Sequence, residues 1–352
     1  MQTFLNTPFN IGSLTLPNRL IQGPLAGFSC APFRQLYYRY TPPAYCVSEM
    51  ISAHDVLHKH QPDSRYLYRA PEETRLCYQL SGNDPHIVAA AAIRMQALGA
   101  DLIDLNSGCP KTKIRKKNAG SALLDDSDRL LDIIRVVRGV ITIPFTVKIR
   151  ITGDARDVSL AQAIEQAGAD ALIVHGRRWT DDYDRPCDLA QIAMIKQAVS
   201  IPVIANGDIA DQASLATAFN STGCDAFMIA RAGSGNPWLY QQLLANPEQI
   251  IHISHAERVD CFMLHLDGLA SLECEHKAVL QSKSLVRYYF RDVLSDVYLS
   301  RFYALNSLEA VYLPESEEHR LTAPGSDWSM EYVTRLASQH ALCPVALPET
   351  PS

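Results

Sequence analysis

Polar side chains that can hold an anion or move a proton follow six short apolar stretches of the sequence. In chain order they are Gln79; Asn106 and Cys109; Lys148 and Arg150; His175 and Arg177; Asn206 and Asp208, on either side of Gly207; and Arg231. Any one of them at the end of an apolar run is commonplace. Brought to one place, however, the amides, thiol, amine, imidazole and guanidinium groups would form a site for an anionic ligand and for acid–base chemistry.

The apolar stretches themselves follow a repeating plan that would bring these residues together. Eight runs of β-branched or apolar residues alternate with helical patterns, at 19–26, 44–50, 75–82, 101–108, 144–151, 171–177, 201–208 and 226–233. Strands separated by helices pair in parallel, so the pattern predicts an α/β fold, a (β/α)8 TIM barrel over residues 1–240. A doubly wound open sheet is the alternative. Barrel enzymes work at the carboxyl ends of their strands, where these polar residues fall.

The strand pattern stops after Trp238. Three later segments, 255–275, 276–294 and 326–342, carry apolar residues at helical spacing. Proline-bearing stretches flank or separate them. We therefore predict a small C-terminal all-helical domain over residues 245–352.

Composition excludes several classes of protein. No apolar run reaches the roughly eighteen residues that a membrane span needs, and the N-terminus lacks the plan of a signal peptide. We expect a cytoplasmic protein without membrane contact. The nine cysteines include no C-x-x-C pair. We therefore expect neither a disulfide framework nor a metal site. The net charge of −6 comes from the C-terminal part, since residues 1–244 are nearly balanced.

The loops after the last two strands favour a phosphate site. Gly207 and the glycines that follow Arg231 let backbone N–H groups approach an anion closely, although any barrel carries glycine-bearing loops. Lys148 lies among apolar residues and needs an anionic partner, because burial of an unpaired charge is costly. The negative charge that a reduced flavin carries would supply this partner; a structural ion pair with a barrel carboxylate is the alternative.

A basic loop follows Cys109. Five cations, Lys111, Lys113, Arg115, Lys116 and Lys117, fall within seven residues. Such a run is most often a solvated surface loop. Because it directly follows a candidate site cysteine, we interpret it as a contact surface for an RNA backbone.

Taken together, these motifs resemble the tRNA-dihydrouridine synthases. The resemblance is carried by "GPLAGFSCAPFR" at 23–34, "DLNSGCP" followed by "AGSALL", "VKIR", "VHGR", "VIANGDI" and "ARAGSGNPW". It covers residues 10–240 well and the helical tail more loosely. The chain departs from the usual pattern at Arg178 and Arg185, where the family commonly has threonine and glycine.

The resemblance implies FMN as cofactor and NADPH, or NADH, as reductant. The FMN contacts would be Pro24, Leu25, Ala26, Gln79, Lys148, His175, Asn206, Gly207, Asp208, Ala230 and Arg231. Asn106 and Arg177 would contact the uracil. Cys109 would be the catalytic acid that protonates C5 while hydride reaches C6. An ordinary thiol is mostly protonated at neutral pH; five nearby cations would favour the thiolate, unless tRNA phosphates neutralise them.

The predicted partner is tRNA, bound by a monomeric protein. Lys283, Arg287 and Arg291 are spaced at i, i+4 and i+8, which predicts a second cationic stripe on a helix; pairing with Glu273, Asp292 or Asp296 is the alternative. Together with the basic-loop residues Lys111, Lys113, Arg115 and Lys116, this stripe would bind RNA. The target uridine must leave its stack, which favours a D-loop nucleotide, and Ser107 with 281–292 leans toward position 16.

Two other functions fit parts of the sequence. The run "GSLTLPNRL" also resembles old yellow enzymes and dihydroorotate dehydrogenases, flavin barrels that act on small molecules. That interpretation leaves the basic loop and the helical tail unexplained. An RNA-binding protein with an inactive barrel is the non-enzymatic alternative, which the intact Cys109, Lys148, His175 and Arg231 disfavour.

Overall fold

The computed structural model describes residues 1–291, Leu294 and 296–312. Eight parallel strands close into a barrel in the order β10-β3-β4-β5-β6-β7-β8-β9. They are β3 (Leu20–Gln22), β4 (Cys46–Ser52), β5 (Leu76–Ser81), β6 (Leu102–Ser107), β7 (Phe145–Arg150), β8 (Ala171–His175), β9 (Val203–Asn206) and β10 (Ala226–Ile229). The predicted (β/α)8 barrel is confirmed. An open sheet is excluded, because β10 pairs with both β9 and β3.

Helices surround the strands in the first of two compact units, which ends at Ser254. They are α1 (Gln2–Leu5), α2 (Ala31–Gln35), α3 (Ala53–His58), α4 (Pro85–Ala97), α5 (Thr112–Arg115), α6 (Ser127–Arg138), α7 (Arg156–Gln166), α8 (Leu189–Ala198), α9 (Gln212–Thr222) and α10 (Leu239–Leu244). Aspartate side chains cap several of them. Asp84, for example, accepts hydrogen bonds from the backbone N–H groups of His86 and Ile87 at 2.9 and 3.0 Å, which satisfies donors that a helix start leaves free.

A short hairpin lies ahead of the barrel strands. Strands β1 (Phe9–Ile11) and β2 (Leu14–Leu16) pair antiparallel across a two-residue turn. Their apolar side chains join one buried cluster with residues of the barrel strands, such as Ile173 and Met228. The sequence analysis missed this hairpin, although the Gly12-Ser13 turn between two apolar runs is a recognised signal for one.

Three glycine–aspartate joints recur in the barrel, each made of a glycine that ends a helix and an aspartate that bonds to the start of a strand. Glycines at 99, 168 and 223 end the preceding helices with positive φ, as a left-handed helix stop requires. The aspartate two residues after each glycine accepts a 2.8 Å hydrogen bond from the N–H that begins the preceding strand. These bonds join Leu76 to Asp101, Phe145 to Asp170, and Val203 to Asp225. Each aspartate also pairs with a cation, Arg69, Arg138 or Lys196.

The second compact unit begins at His255. Its described helices are α11 (His255–Leu272), α12 (Glu275–Tyr289), α13 (Asp296–Ala304) and α14 (Leu308–Tyr312). Phe262 lies at the centre of this unit, with its ring 5.3 Å from Tyr289 and 5.5 Å from Phe290 between centroids. The predicted helix over 326–342 lies outside the described residues. In the described part of the chain, no helix is both long and apolar enough to span a membrane.

A buried ion pair fixes the loop that follows β3. Arg34 is fully buried and bonds to both carboxylate oxygens of Glu73, once through Nε and once through Nη2 at 2.9 Å. Its Nη1 donates to the backbone oxygen of Ser29 at 2.7 Å. Burial alone would lower the pKa of Arg34, but Glu73 more than offsets this effect, and the pKa lies above its usual value.

We expect Arg34→Met to lower the free energy of unfolding by about 3–5 kcal/mol, because it leaves the Glu73 carboxylate buried without its partner. Urea denaturation followed by circular dichroism measures the change. Arg156→Ala is the matched control, since the Arg156–Asp154 pair is exposed and exposed pairs contribute little to stability. Equal losses in the two variants would contradict the stabilising role of the buried pair.

Candidate functional site

The strand register brings the predicted polar residues to one end of the barrel. Asn106 on β6 lies beside Lys148 on β7. Two residues further along β7, Arg150 lies beside His175 on β8, which in turn lies beside Asn206 on β9. Because paired residues of parallel strands point to the same side of a sheet, these side chains form one continuous polar surface at the mouth of the barrel.

Lys148 is held at this mouth by a neutral partner. Its Nζ donates to Oδ1 of Asn206 at 2.8 Å, and Nδ2 of Asn206 donates to the backbone oxygen of Met228 at 2.9 Å. Burial lowers the pKa of Lys148 to about 8, against the opposing effect of the nearby Asp104 carboxylate. The ammonium is therefore charged at neutral pH, and no carboxylate in the described part of the chain accepts a direct hydrogen bond from it.

Asp104 is a site residue that the sequence analysis did not select. It is buried on β6 and accepts from Oγ1 of Thr146 at 2.6 Å and from Nε2 of Gln79 at 2.8 Å. Burial raises the pKa of Asp104 to about 6, although both hydrogen bonds oppose the rise. The alternative to an anionic ligand for Lys148 was an ion pair with a carboxylate of the barrel. Asp104 is that carboxylate, but it affects the pKa of Lys148 through its charge, while Nζ of Lys148 bonds to Asn206. Its position in the middle of an apolar strand was the available signal.

A chain of hydrogen bonds runs from Gln79 to the candidate catalytic cysteine. Nδ2 of Asn106 donates to Oε1 of Gln79 at 2.9 Å, while its Oδ1 accepts from the backbone N–H of Cys109 at 2.9 Å. Arg150 adds a second restraint by donating from Nε to the backbone oxygen of Gly108 at 2.9 Å. Asn106 thus positions the Cys109 turn, and its predicted contact with a uracil stays a prediction.

The turn at Cys109 also depends on a glycine further along the chain. The backbone oxygen of Cys109 accepts a 3.0 Å hydrogen bond from the N–H of Ser121. Gly120 has φ +62°, and a Cβ there would lie 2.8 Å from the Cys109 oxygen. Any other residue at 120 would push the turn out of place. Cys109 itself remains partly exposed, as a group that meets a substrate must be.

His175 is buried among cations and has an unsatisfied ring nitrogen. Its Nδ1 has no hydrogen-bond partner among the described residues, which is unusual for a buried polar atom. Burial lowers the pKa of His175 to about 2, and the positive charges of Lys148, Arg150, Arg177 and Arg231 act in the same direction. The imidazole is therefore neutral and has one nitrogen available to a ligand.

The Arg177 guanidinium donates hydrogen bonds to two of the loops at the barrel mouth. Its Nη2 donates to both carboxylate oxygens of Asp208, at 2.6 and 2.8 Å, and to the backbone oxygen of Tyr183 at 3.1 Å. Its Nη1 contacts Sγ of Cys187 at 3.3 Å. These contacts tie the loop after β8 to the loop after β9. The predicted contact between Arg177 and a uracil likewise stays a prediction.

The Asn206-Gly207-Asp208 loop has a conformation that requires its glycine. Gly207 has φ +122°, and a Cβ there would lie 2.1 Å from the sulfur of Cys187. Asp208 also has positive φ, at +54°, and its carboxylate holds Arg177 and the backbone N–H of Cys187. Near this loop, Arg231 is exposed and its guanidinium lies 4.2 Å from the ring centroid of Tyr183.

The loop after β3 lines the same end of the barrel. Pro24 and Leu25 are half-buried and Ala26 is exposed. The N–H of Leu25 donates to Oγ of Ser29 at 2.9 Å. Ala230 follows β10, the strand that pairs with β3 to close the barrel. Its backbone oxygen accepts a 3.4 Å hydrogen bond from Nε2 of Gln22.

The basic loop contains two kinds of cation. Lys111, Lys113 and Lys116 are exposed and make no ion pair with any described residue. Arg115 differs, because its Nη2 pairs with Asp125 at 2.7 Å and its guanidinium lies 3.7 Å from the ring centroid of Trp179. The sequence analysis missed Trp179, which lies in the loop after β8 and could have been noticed as an isolated large aromatic residue there.

The second cationic stripe is shorter than predicted. Lys283 and Arg287 lie on α12, but this helix ends at Tyr289, so Arg291 does not continue the stripe. Glu273, an anticipated partner, instead pairs with Lys277 at 2.8 Å, and Asp292 lies outside the described residues. Arg287 bonds through Nε to the hydroxyl of Tyr303. A role for these cations in binding RNA stays a prediction.

The residues at the barrel mouth fit a flavin mononucleotide. The four cations around His175 exceed the local carboxylates, Asp104 and Asp208, so the mouth is suited to a ligand with negative charge. The unsatisfied Nδ1 of His175 and the glycine-bearing loop at Gly207 add a polar contact and backbone groups for a phosphate. Among the described residues, no group of three or more His, Cys, Asp or Glu could hold a metal ion.

Comparison with solved structures supports the fold assignment. A complex of 2-naphthoyl-CoA reductase aligns with a TM-score of 0.54 at 13% identity, covering 69% of this chain and 52% of that one. Morphinone reductase in complex with tetrahydroNAD aligns with a TM-score of 0.50 at 16% identity, covering 73% and 96%. At such low identity, the similarity shows the fold alone.

Comparison with known sequences is more informative. The tRNA-dihydrouridine synthase B of Pseudomonas aeruginosa is 43% identical over 237 residues, 66% of this chain and 71% of that protein. The tRNA-dihydrouridine synthase B of Vibrio cholerae is 35% identical over 288 residues, 80% and 89% of the two chains. A family model described as dihydrouridine synthase matches residues 21–312. Because this match spans most of the sequence and the relatives are covered over more than two thirds of their length, the chain belongs to the dihydrouridine synthase family.

Proposed function

We propose that this protein reduces the C5–C6 bond of a uridine in the D-loop of tRNA, using FMN and NADPH. Membership of a family of flavin-dependent, tRNA-modifying oxidoreductases supports the reaction type. The observation that carries the proposal is the position of Cys109. Asn106 and Arg150 restrain its turn at the same barrel mouth where Lys148 and His175 await an anionic ligand.

The residues for the cofactor divide into those for its ring and those for its phosphate. When bound, the flavin supplies a hydride that originates from the nicotinamide. Pro24, Leu25, Ala26, Gln79 and Lys148 would contact its ring, while His175, Asn206, Gly207, Asp208, Ala230 and Arg231 would hold its phosphate side. Lys148 is charged at neutral pH and would favour the reduced, anionic form.

Cys109 supplies the proton that the reduction requires. Addition of hydride to C6 leaves negative charge on the uracil, and a proton on C5 completes the reduced bond. A thiol on a restrained, partly exposed turn can donate that proton. Arg150 and Asn106 hold the turn, and Asn106 and Arg177 would also contact the base.

The exposed lysines provide for the RNA backbone. Lys111, Lys113 and Lys116, which make no ion pair with any described residue, would contact phosphates near Cys109. Lys283, Arg287 and Arg291 would be the RNA contacts of the helical domain. Phosphate contacts of this kind position the nucleic acid without reading its sequence. Region 1–240 would thus carry catalysis together with part of the tRNA contact, and region 245–352 would bind tRNA only. The preference for position 16, the monomeric state and the cytoplasmic location belong to the same proposal.

We expect Cys109→Ala to lower dihydrouridine formation by 100-fold or more, because removal of a general acid costs about 10²–10⁴-fold. Flavin content and the rate of flavin reduction by NADPH should stay within about twofold of wild type. Single-turnover oxidation of the reduced protein by unmodified tRNA measures the effect. Cys274→Ala, which removes an exposed cysteine of the second compact unit, is the matched control, and near-normal turnover in Cys109→Ala would contradict the acid role.

We expect Lys148→Met to lower the two-electron potential of the bound flavin by about 30 mV or more, equivalent to a tenfold loss of preference for the reduced form. A dye-linked reductive titration measures the potential. Since burial lowers the pKa of Lys148 to about 8, the cation is present below pH 8 and is lost as the pH rises. The difference from wild type should therefore shrink above pH 8, and a pH-independent difference would count against the charge effect.

We expect the double variant Lys113→Ala/Lys116→Ala to bind tRNA more weakly and with less salt dependence. Each lost phosphate contact should reduce the slope of log K against log salt by about 0.7–0.9. Filter binding between low and physiological salt measures this slope. Arg135→Ala removes a comparably exposed charge on α6 and should change neither quantity. A double variant with the wild-type slope would show that the loop does not contact the RNA.

A flavin barrel acting on a small molecule is distinguished by its oxidant. In this alternative, enones or dihydroorotate-type compounds would reoxidise the reduced flavin faster than tRNA does. Mapping of dihydrouridine in tRNA from cells that lack the protein would identify the modified position directly.

A further inference from the structure

We propose that Trp179 is a stacking platform for a nucleobase next to the target uridine, and that Arg115 holds it in place. This inference rests on the proposed function, since it assigns a further tRNA contact to the same site. The aromatic ring belongs to the loop after β8, and the arginine belongs to the basic loop after β6, so the platform joins two loops of the barrel mouth.

The Arg115–Trp179 pair leaves part of the indole side chain exposed. The Arg115 guanidinium lies 3.7 Å from the ring centroid of Trp179, which covers one face. Trp179 nevertheless stays 40% exposed. A large aromatic side chain in a purely structural role is normally far more buried. An indole covered by a cation on one face and accessible elsewhere can accept a planar ring.

Two hydrogen bonds hold the Arg115 guanidinium in place. Its Nη1 donates to Oγ of Ser121 at 3.0 Å, and its Nη2 donates to Asp125 at 2.7 Å. Ser121 is the residue whose N–H bonds to the backbone oxygen of Cys109. The guanidinium under the indole therefore shares an anchor with the catalytic turn, which sets the platform in register with Cys109.

The backbone before and after Trp179 is also restrained. Nη1 of Arg150 donates to the backbone oxygen of Arg178 at 2.9 Å, and the N–H of Arg178 donates to Oδ2 of Asp181 at 2.8 Å. Asp181 also lies 3.6 Å from Nη1 of Arg185. Arg178 and Arg185 are two of the positions at which the chain departs from the usual family pattern, and both contact Asp181 in this loop. A restrained ring loses little conformational entropy when a base stacks on it.

The surroundings of the ring favour RNA over a protein partner. The exposed lysines Lys111, Lys113 and Lys116 lie in the same loop as Arg115 and make no ion pair with described residues. Alternation of a π-face with unpaired cations is the pattern by which proteins bind single-stranded nucleic acid: bases stack while phosphates are neutralised. A uridine that leaves its stack exposes the faces of its neighbours, and Trp179 would cover one of them.

The test compares Trp179→Ala with Trp179→Phe, using unmodified tRNA transcript and the flavin-loaded protein. Loss of the ring should weaken tRNA binding and raise KM about tenfold, within the range for loss of one stacked base, while kcat changes less than twofold. Phenylalanine should restore binding to within about threefold. The rate of flavin reduction by NADPH should not change in either variant.

Two controls separate stacking from general damage. Met194→Ala removes an exposed apolar side chain from α8 and should leave tRNA affinity unchanged. Arg115→Ala should weaken binding alone but add little to Trp179→Ala, because the two residues act as one unit. Wild-type fluorescence should also fall on addition of tRNA by an amount absent from Trp179→Phe.

The outcomes distinguish this inference from the proposed function. If wild type forms dihydrouridine and Trp179→Ala matches its affinity and KM, the stacking role is wrong and the proposed function stands. If wild type binds tRNA through Trp179 but forms no dihydrouridine, the proposed function is wrong and the stacking contact stands. Failure of wild type to bind tRNA would overturn both.

Discussion

Positive charge is concentrated at the barrel mouth, and the arrangement of the site follows from the need to support it. Lys148, Arg150, Arg177 and Arg231 surround one neutral imidazole. Only Asp208 forms a direct ion pair with any of these four cations among the described residues, and Asp104 acts at longer range. Without a ligand, such a cluster opposes folding, because the four positive charges repel one another and two of them, Arg150 and Arg177, are buried. The cost is offset when an anionic ligand is bound, which makes the protein's stability depend on its cofactor.

A series of hydrogen bonds in the polar core of the barrel holds the turn at Cys109. Thr146, Asp104, Gln79 and Asn106 form an unbroken series of hydrogen bonds that ends at the N–H of Cys109. Each member satisfies its neighbour, so no single side chain can rotate without leaving a buried group unpaired. The thiol is thus placed by residues that also border the predicted cofactor ring. If the predicted cofactor contacts are correct, one network of hydrogen bonds both positions the thiol and borders the cofactor.

Much of this arrangement could be predicted from the sequence, and the failures have physical causes. The alternation of apolar runs and helical patterns identified all eight barrel strands, because strands buried on both faces need continuous apolar stretches. Strand ends were less accurate: the run 19–26 contains a strand of only three residues, Leu20–Gln22. Beyond Gln22, hydrogen bonds to Ser29 and Glu49 outweigh local preference and hold the chain as a loop.

Contacts between distant loops were beyond the reach of the sequence. Asn106 and Arg177 were selected for their chemical types, but their hydrogen-bond partners come from other strands and loops that spacing does not reveal. The same is true of Arg115, whose place in a basic run gave no sign of Asp125 or Trp179. Residue type therefore predicted which groups meet at the mouth, whereas three-dimensional packing decided which of them are still free to meet a ligand.

The three glycine–aspartate joints bear on how the stability of this barrel can evolve. In each joint the aspartate accepts a hydrogen bond from the N–H at the start of a strand and forms an ion pair with a different cation. The joints lie at the amino ends of the strands, away from the polar end where the chemistry is proposed. Their contributions should be independent and additive, as is usual for separated sites. Successive substitutions there would alter heat tolerance in graded steps while the reactive end stays intact, so lineages living at different temperatures could adjust one end of the molecule without disturbing the other.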